Sequence, residues 1–303
     1  MKQYITIFII AIFFGCQKSE KPVYAMKSIA PDVVQEKHPG KKLMEMQCYI
    51  CHNPKTAEQN RIAPPMIAIK NHYLTKGISK EDFIKDIQQC PMDKDEYLQT
   101  EYTKTQIYLH HTAGNPNGRR TISNWNNDKR GRIATCVTIS NINDTGSYDG
   151  EICQAFSSKY WAYHLGIKQE HFDRFDLPYK NLNKVSIGIE ICAWGYLTKK
   201  DGKFYNYINR EVPADQVCEL DQPYKGHKYY HKYSDAQIES VKNLLLYWNE
   251  VYGIPLDYDE KIWDVCEDAY KNVPGVYTHN SVRPDKSDVF PQPELIAMLK
   301  SLS

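Results

Sequence analysis

Residues 185–191 form a nearly all-apolar run, broken by Ser186 and Glu190. Such a run suits a β-strand buried on both faces, which requires other elements to cover both sides of a sheet. The rest of the sequence supplies them. Residues 106–110 alternate apolar and polar, as strands do, and residues 134–140 and 151–156 read similarly. The clearest helix opens at Ser234, where Ser234-Asp-Ala-Gln237 is a capping box. Ile238, Val241, Leu244, Leu245 and Trp248 then recur at helical spacing, so that stripe is core. Gly253 is placed to end the helix, and Pro255 blocks any continuation. Strands with packed helices predict an α/β or α+β domain of about 200 residues.

Glu190 is the anomaly in the apolar run. A carboxylate there is costly unless it is paired or used. Burial raises its pKa toward the range of a working general base. The plainer alternative is an outward-facing Glu on a half-exposed strand.

Two distant segments carry histidines. Ile107-Tyr-Leu-His110-His111-Thr-Ala-Gly114 runs from a strand into a loop, where a rigid scaffold presents functional side chains. Tyr277-Thr-His279-Asn280 follows a short apolar strand and leads to Lys286-Ser-Asp288. Alone, a His pair in a strand is as much at home in structure or on a surface, and a loop Asp is ordinarily a solvated charge. In combination, two His and one Asp make a three-ligand zinc set with a fourth position left for water. An open zinc site beside a Glu is apparatus for hydrolysing an amide.

These motifs, with Trp161-Ala-Tyr-His164-Leu-Gly166 and Tyr233-Ser-Asp-Ala-Gln237, resemble those of the zinc-dependent N-acetylmuramoyl-L-alanine amidases, to which peptidoglycan recognition proteins are similar. The resemblance runs from about Thr105 to Leu299, in the family's order. It implies an α/β domain with a mixed central sheet and flanking helices, and peptidoglycan or its muropeptides as partner. It implies zinc on His110, His279 and Asp288, acid/base work by Glu190 and an oxyanion role for Lys286. His164 corresponds to a non-ligand histidine near substrate, and His111 joins it as a substrate-side residue. The family often has a Tyr-His pair where this chain has Thr135-Cys136, which leaves the proton work to Glu190. A module that holds muropeptide without cutting it is the alternative, although such proteins typically lack part of the zinc set.

The N-terminus reads as an export signal. Lys2 precedes an apolar run at residues 4–14, too short to span a bilayer as a helix. Phe13-Phe14-Gly15-Cys16 resembles a bacterial lipoprotein cleavage box, with Phe13 where Leu is usual. Residues 1–16 are then a signal ending at a lipidated Cys16, and 17–37 a linker. The chain is expected to face the periplasm as a membrane-anchored lipoprotein; an ordinary cleaved signal is the alternative.

Cys48-Tyr-Ile-Cys51-His52 reads as a c-type haem attachment site, with two thiols for the vinyl groups and His52 for the iron. Residues 38–95 resemble a small bacterial cytochrome c, for which Met66, or Met92, is the candidate sixth ligand. An electron-transfer partner, and even electron transfer as the principal role, is compatible with that segment. A simple disulfide or half a zinc site is the competing reading.

The amidase-like domain occupies residues 100–303. The six cysteines outside these motifs are Cys90, Cys136, Cys153, Cys192, Cys218 and Cys266, and Cys136 with Cys153 is the favoured bridge because both lie on neighbouring predicted strands. Residues 195–232 are rich in Tyr and read as an insertion bordering the groove, or as plain surface elaboration. A net charge of +1 gives no reason to expect nucleic acid.

Overall fold

A computed structural model describes residues 87–141 and 147–303. Cys16, Cys48, Cys51, His52 and Met66, with the features expected of them, lie outside the described residues. The strands in chain order are β1 (Gln88–Gln89), β2 (Gln106–His111), β3 (Val137–Ile139), β4 (Ile152–Gln154), β5 (Ser186–Ile191), β6 (Tyr196–Lys200), β7 (Lys203–Tyr205), β8 (Glu211–Val212), β9 (Val217–Tyr224), β10 (His227–His231) and β11 (Gly275–Thr278). The helices are α1 (Gly118–Asn126), α2 (Gln169–Asp173), α3 (Asp235–Tyr252), α4 (Glu267–Lys271) and α5 (Pro293–Lys300).

Six strands make the central sheet, in the order β1-β4-β3-β5-β2-β11. Only β3–β4 is antiparallel, so the sheet is mixed. Strand β2 is buried along its whole length, and β5 is buried at every position except Glu190. The period-2 pattern of residues 106–110 thus hides a strand buried on both faces: Gln106, the polar member at its start, satisfies its amide on the carbonyls of Ala269 and Val273. Residues 195–232 fold as a second, all-antiparallel sheet, β8-β7-β6-β10-β9, that leaves the end of β5 and returns before α3.

Helix α3 forms where the sequence predicts. Ser234 accepts from the Gln237 amide while the Gln237 side chain answers the Ser234 backbone, and Gly253 closes the helix with φ 69°. Its buried face presents Ile238, Val241, Leu244, Leu245 and Trp248, each contributing roughly 1.5–3 kcal/mol by leaving water. Gln237 also donates to the carbonyls of Ile139 and Cys192, tying the helix start to β3 and to the end of β5.

Two expectations are corrected. Residues 79–89 read in the sequence as a helix capped by Ser79, but Gln88–Gln89 at its end pair in parallel with β4; the backbone bonds of a sheet edge override local helix propensity there. The Cys136–Cys153 bridge is not formed, and all six cysteines of the domain are free thiols. The chain bends before β3, and the Cys136 sulfur turns to the Gly188 carbonyl of β5 instead.

Ser234 also donates to the Asp149 carboxylate at 2.6 Å. Ser234→Ala is expected to cost about 1 kcal/mol, lowering the melting temperature by roughly 2–4 °C in a domain of this size. An unchanged thermal unfolding midpoint would show that the cap contributes nothing.

Candidate active site

Three adjacent parallel strands end side by side. Glu190 of β5 is in register with His110 of β2, and Leu109 with Thr278 of β11. His279 follows β11 immediately, so His110 and His279 emerge next to each other with ring centroids 4.5 Å apart. The carboxyl ends of parallel strands are where open α/β sheets place their ligands. Asp288 arrives on the loop after the His279–Ser281 turn. Asn280 holds that loop by donating to the carbonyls of Asp288 and Val289 at 2.9 and 3.0 Å.

Asp288 Oδ2 lies 2.8 Å from His279 Nδ1 and 3.4 Å from His110 Nδ1. The three donor atoms fall within 4.8 Å of one another. Ligand bonds of about 2.0–2.1 Å at tetrahedral angles would set such atoms roughly 3.3 Å apart, so this set fits a small divalent cation.

The hydrogen bonds behind the rings settle which nitrogens face inward. His279 Nε2 is 3.0 Å from the Leu165 carbonyl, which only accepts. Nε2 therefore carries the proton, and in the neutral ring Nδ1 presents a lone pair. His110 Nε2 meets His164 Nδ1 at 3.0 Å, and His164 Nε2 meets Ser186 Oγ at 2.9 Å. In the tautomer in which His110 donates to His164 and His164 to Ser186, the His110 Nδ1 lone pair also faces Asp288.

Gly188 makes this packing possible. A Cβ there would sit 2.6 Å from Thr135 Cγ2 and 3.0 Å from His164 Nδ1. His111, which points away from His110 as strand neighbours do, is held by Tyr233 at 2.7 Å. The Phe290 amide donates to the Tyr233 oxygen at 3.4 Å, so Tyr233 links His111 to the chain just after Asp288.

The electrostatics follow from burial. Desolvation, with the neighbouring His279, pulls His110 down to about 4 and favours the neutral ring. Burial would push Asp288 up, but His279 and His110 outweigh it and hold the carboxyl well below the usual range. Glu190 goes the other way: burial first, then the negative charge of Asp288, drive its pKa well above the ordinary value, opposed by Lys286.

All these groups line one open cleft of about 560 Å³, together with Thr112, Thr135, Ile133, Trp125 and Tyr163. The structure therefore brings together His110, His279, Asp288, Glu190, Lys286, His111 and His164. Both ring nitrogens of His164 are engaged by protein groups, so it braces His110 while lining the cleft. Sequence reasoning missed Trp125 and Tyr163 as cleft walls, and Asn280 and Tyr233 as supports. Tyr163 stood within a quoted motif, directly before His164, and its position was the available signal.

The family described as N-acetylmuramoyl-L-alanine amidase matches residues 101–292. No curated protein matches the chain. Among solved structures, PlyL is similar at 14% identity, covering 72% of this chain and 98% of its own, with a TM-score of 0.39. The amidase AmiD from E. coli, in complex with its substrate anhydro-N-acetylmuramic acid-L-Ala-D-gamma-Glu-L-Lys, is similar at 17% identity over 66% of this chain and 59% of its own, with a TM-score of 0.38. AmpD is similar at 14% identity over 71% and 94%, with a TM-score of 0.37.

Gly188→Ala is expected to displace His164 and Thr135, costing roughly 1–3 kcal/mol of stability by overpacking and, through misplacement of His110, about 10- to 100-fold in kcat/KM. Steady-state kinetics on protein shown folded by near-UV circular dichroism test this. A wild-type rate would mean that the His164 brace does not matter.

Proposed function

The chain belongs to the N-acetylmuramoyl-L-alanine amidase family and is an enzyme of that class. We propose that it hydrolyses the amide between the lactyl group of N-acetylmuramic acid and L-alanine in peptidoglycan, with His110, His279 and Asp288 holding a zinc ion. The observation that carries this reading is the convergence of two imidazole nitrogens and a carboxylate oxygen in the cleft that Glu190 lines. Zinc bound there would supply Lewis acidity, polarising a carbonyl and making water a better nucleophile.

The chain's own residues do the rest. Glu190, with its raised pKa, accepts a proton from the attacking water and returns one to the departing amine. Lys286, whose charge already acts on Glu190, offers a positive charge to the oxygen that turns negative as the carbonyl becomes tetrahedral. His164 and the Leu165 carbonyl fix the two ligand rings so that Nδ1 faces the cleft. Trp125 and Tyr163 offer apolar walls against which sugar or stem peptide can lie.

Chelation of the purified protein is expected to abolish release of peptide from peptidoglycan, and His279→Ala or Asp288→Ala to lose both metal and activity. Glu190→Gln should keep the metal and lower turnover by roughly 10²–10⁴-fold. In the wild type, kcat/KM should fall as pH drops through the raised Glu190 pKa, because protonation removes the base; the Gln variant should lack that limb. Full activity of metal-free protein would refute the zinc assignment, and a near wild-type Glu190→Gln would refute the base.

We further propose, from sequence alone, that Cys16 carries lipid facing the periplasm and that Cys48, Cys51 and His52 hold haem c. Protein matured in a haem-attaching host should keep its colour and a haem-sized mass increment after denaturation, and Cys48→Ser with Cys51→Ser should lose both. Colourless protein from a host that matures other c-type cytochromes would leave a plain disulfide or half a zinc site as the reading of this motif.

A further inference from the structure

A second cluster of reactive groups lies at the far edge of the central sheet. Strand β1 is an edge strand of two residues, paired in parallel with β4 in the register Gln88↔Cys153 and Gln89↔Gln154. The pairing runs on past the strand: the Cys90 amide donates to the Gln154 carbonyl at 2.9 Å, and that of Met92 to Ala155 at 3.0 Å. Cross-strand partners share a face, and residues two apart return to it. Cys90 is two residues beyond Gln88, so it stands on the same face as Cys153 and diagonal to it. The two thiols are near enough to act on each other's ionisation, while the Cys153 S–H donates to Glu151.

Their settings differ in a way that suits stepwise chemistry. Cys153 is fully buried and its sulfur also lies 3.5 Å from Glu151 Oε2. Glu151 is held in turn by Arg119 and by Ser147. Cys90 is only half-buried and within reach of solvent reagents. The neighbouring Cys153, helped by the Arg119 charge against the cost of burial, draws the Cys90 thiol down to about 7. The same partnership, with burial, pushes Cys153 up. The accessible sulfur is thus the nucleophile, and the buried one completes the bond. Elsewhere among the described residues, Cys136 faces a carbonyl of β5 and Cys192 the Thr121 hydroxyl.

We propose that Cys90 and Cys153 are a disulfide-forming pair, oxidised by a small or protein disulfide, which fastens the edge strand β1 to β4. The Cys90 thiolate attacks one sulfur of glutathione disulfide, breaking that bond and releasing one glutathione. Cys153 then gives up its proton and attacks the Cys90 sulfur, releasing the second. Two protein thiols and one glutathione disulfide become one protein disulfide and two glutathione thiols, so the two electrons and two protons leave on the glutathione. The bond requires the two Cα atoms to stand roughly 4.4–6.8 Å apart.

The test uses the full chain, equilibrated with glutathione disulfide, blocked with an alkylating reagent and digested without reduction. The expected result is a peptide pair linked through Cys90 and Cys153, 2 Da lighter than the two free peptides together, that dissociates on reduction. The oxidised protein should melt several degrees above the reduced form. In Cys153→Ser, Cys90 should stop at the mixed disulfide and carry glutathione instead. Three outcomes overturn the proposal: both thiols still alkylated after oxidation, Cys90 in the wild type retaining glutathione while Cys153 stays free, or either residue linked to another cysteine of the domain.

Discussion

Asp288 Oδ2 stands 2.8 Å from His279 Nδ1, while the other nitrogen of that ring already donates to a carbonyl. Two lone pairs therefore face each other unless a positive species lies between them. His110 repeats the arrangement at 3.4 Å on the other side of the same oxygen. A proton on both rings is a poor remedy, because burial and the neighbouring imidazole pull His110 down to about 4 and so keep that ring neutral above this pH. A single divalent ion satisfies all three lone pairs together. The rest of the site can be understood as the apparatus that keeps this otherwise repulsive set of acceptors in place.

That apparatus is mostly backbone. Parallel register aligns the ends of β5, β2 and β11, so three functional residues from distant parts of the sequence arrive at one edge without any loop having to search for them. Asp288, the one member of the proposed ligand set on a loop, is secured by two bonds from the buried Asn280. Farther along, Gln292 and Tyr233 exchange backbone and side-chain bonds, which pins the chain after Asp288 against the start of α3. The capped helix and the ligand loop are therefore braced against each other, and the stability of the fold bears directly on site geometry.

Much of this was legible in the sequence, for identifiable reasons. Glu190 stood out because a carboxylate within an apolar strand is costly unless it is paired, used or turned outward. The α3 boundaries were readable because capping boxes and αL glycines are local chemistry, needing no tertiary partner. The choice of His110 rather than His111 came from family resemblance; in the fold, strand alternation sends His111 to Tyr233 and His110 to Asp288. What escaped is what depends on nonlocal pairing. β1 exists only because β4 offers it an edge. The Cys136 bend, which takes its sulfur away from Cys153, is likewise invisible to a reading of neighbouring strands. Trp125 and Tyr163 read as ordinary aromatics until the fold sets them around the cleft.

The two carboxylates of the cleft acquire opposite characters from their surroundings, and that divergence is the strongest internal argument for their separate roles. Asp288 is mostly buried, and the imidazoles beside it favour its ionised form against that burial, an effect that requires a positive species on the ring edges facing it. Glu190 has no such pair; it meets burial and the charge on Asp288 itself, with Lys286 as partial relief. Each additional bit of negative charge on Asp288 thus makes Glu190 more basic. A cation at the His110, His279 and Asp288 set would neutralise that field and bring Glu190 down toward the range where it can both take and return a proton. The proposed ligand set and the proposed base are thus linked: burial first, and then the charge of Asp288, raise the affinity of Glu190 for its proton.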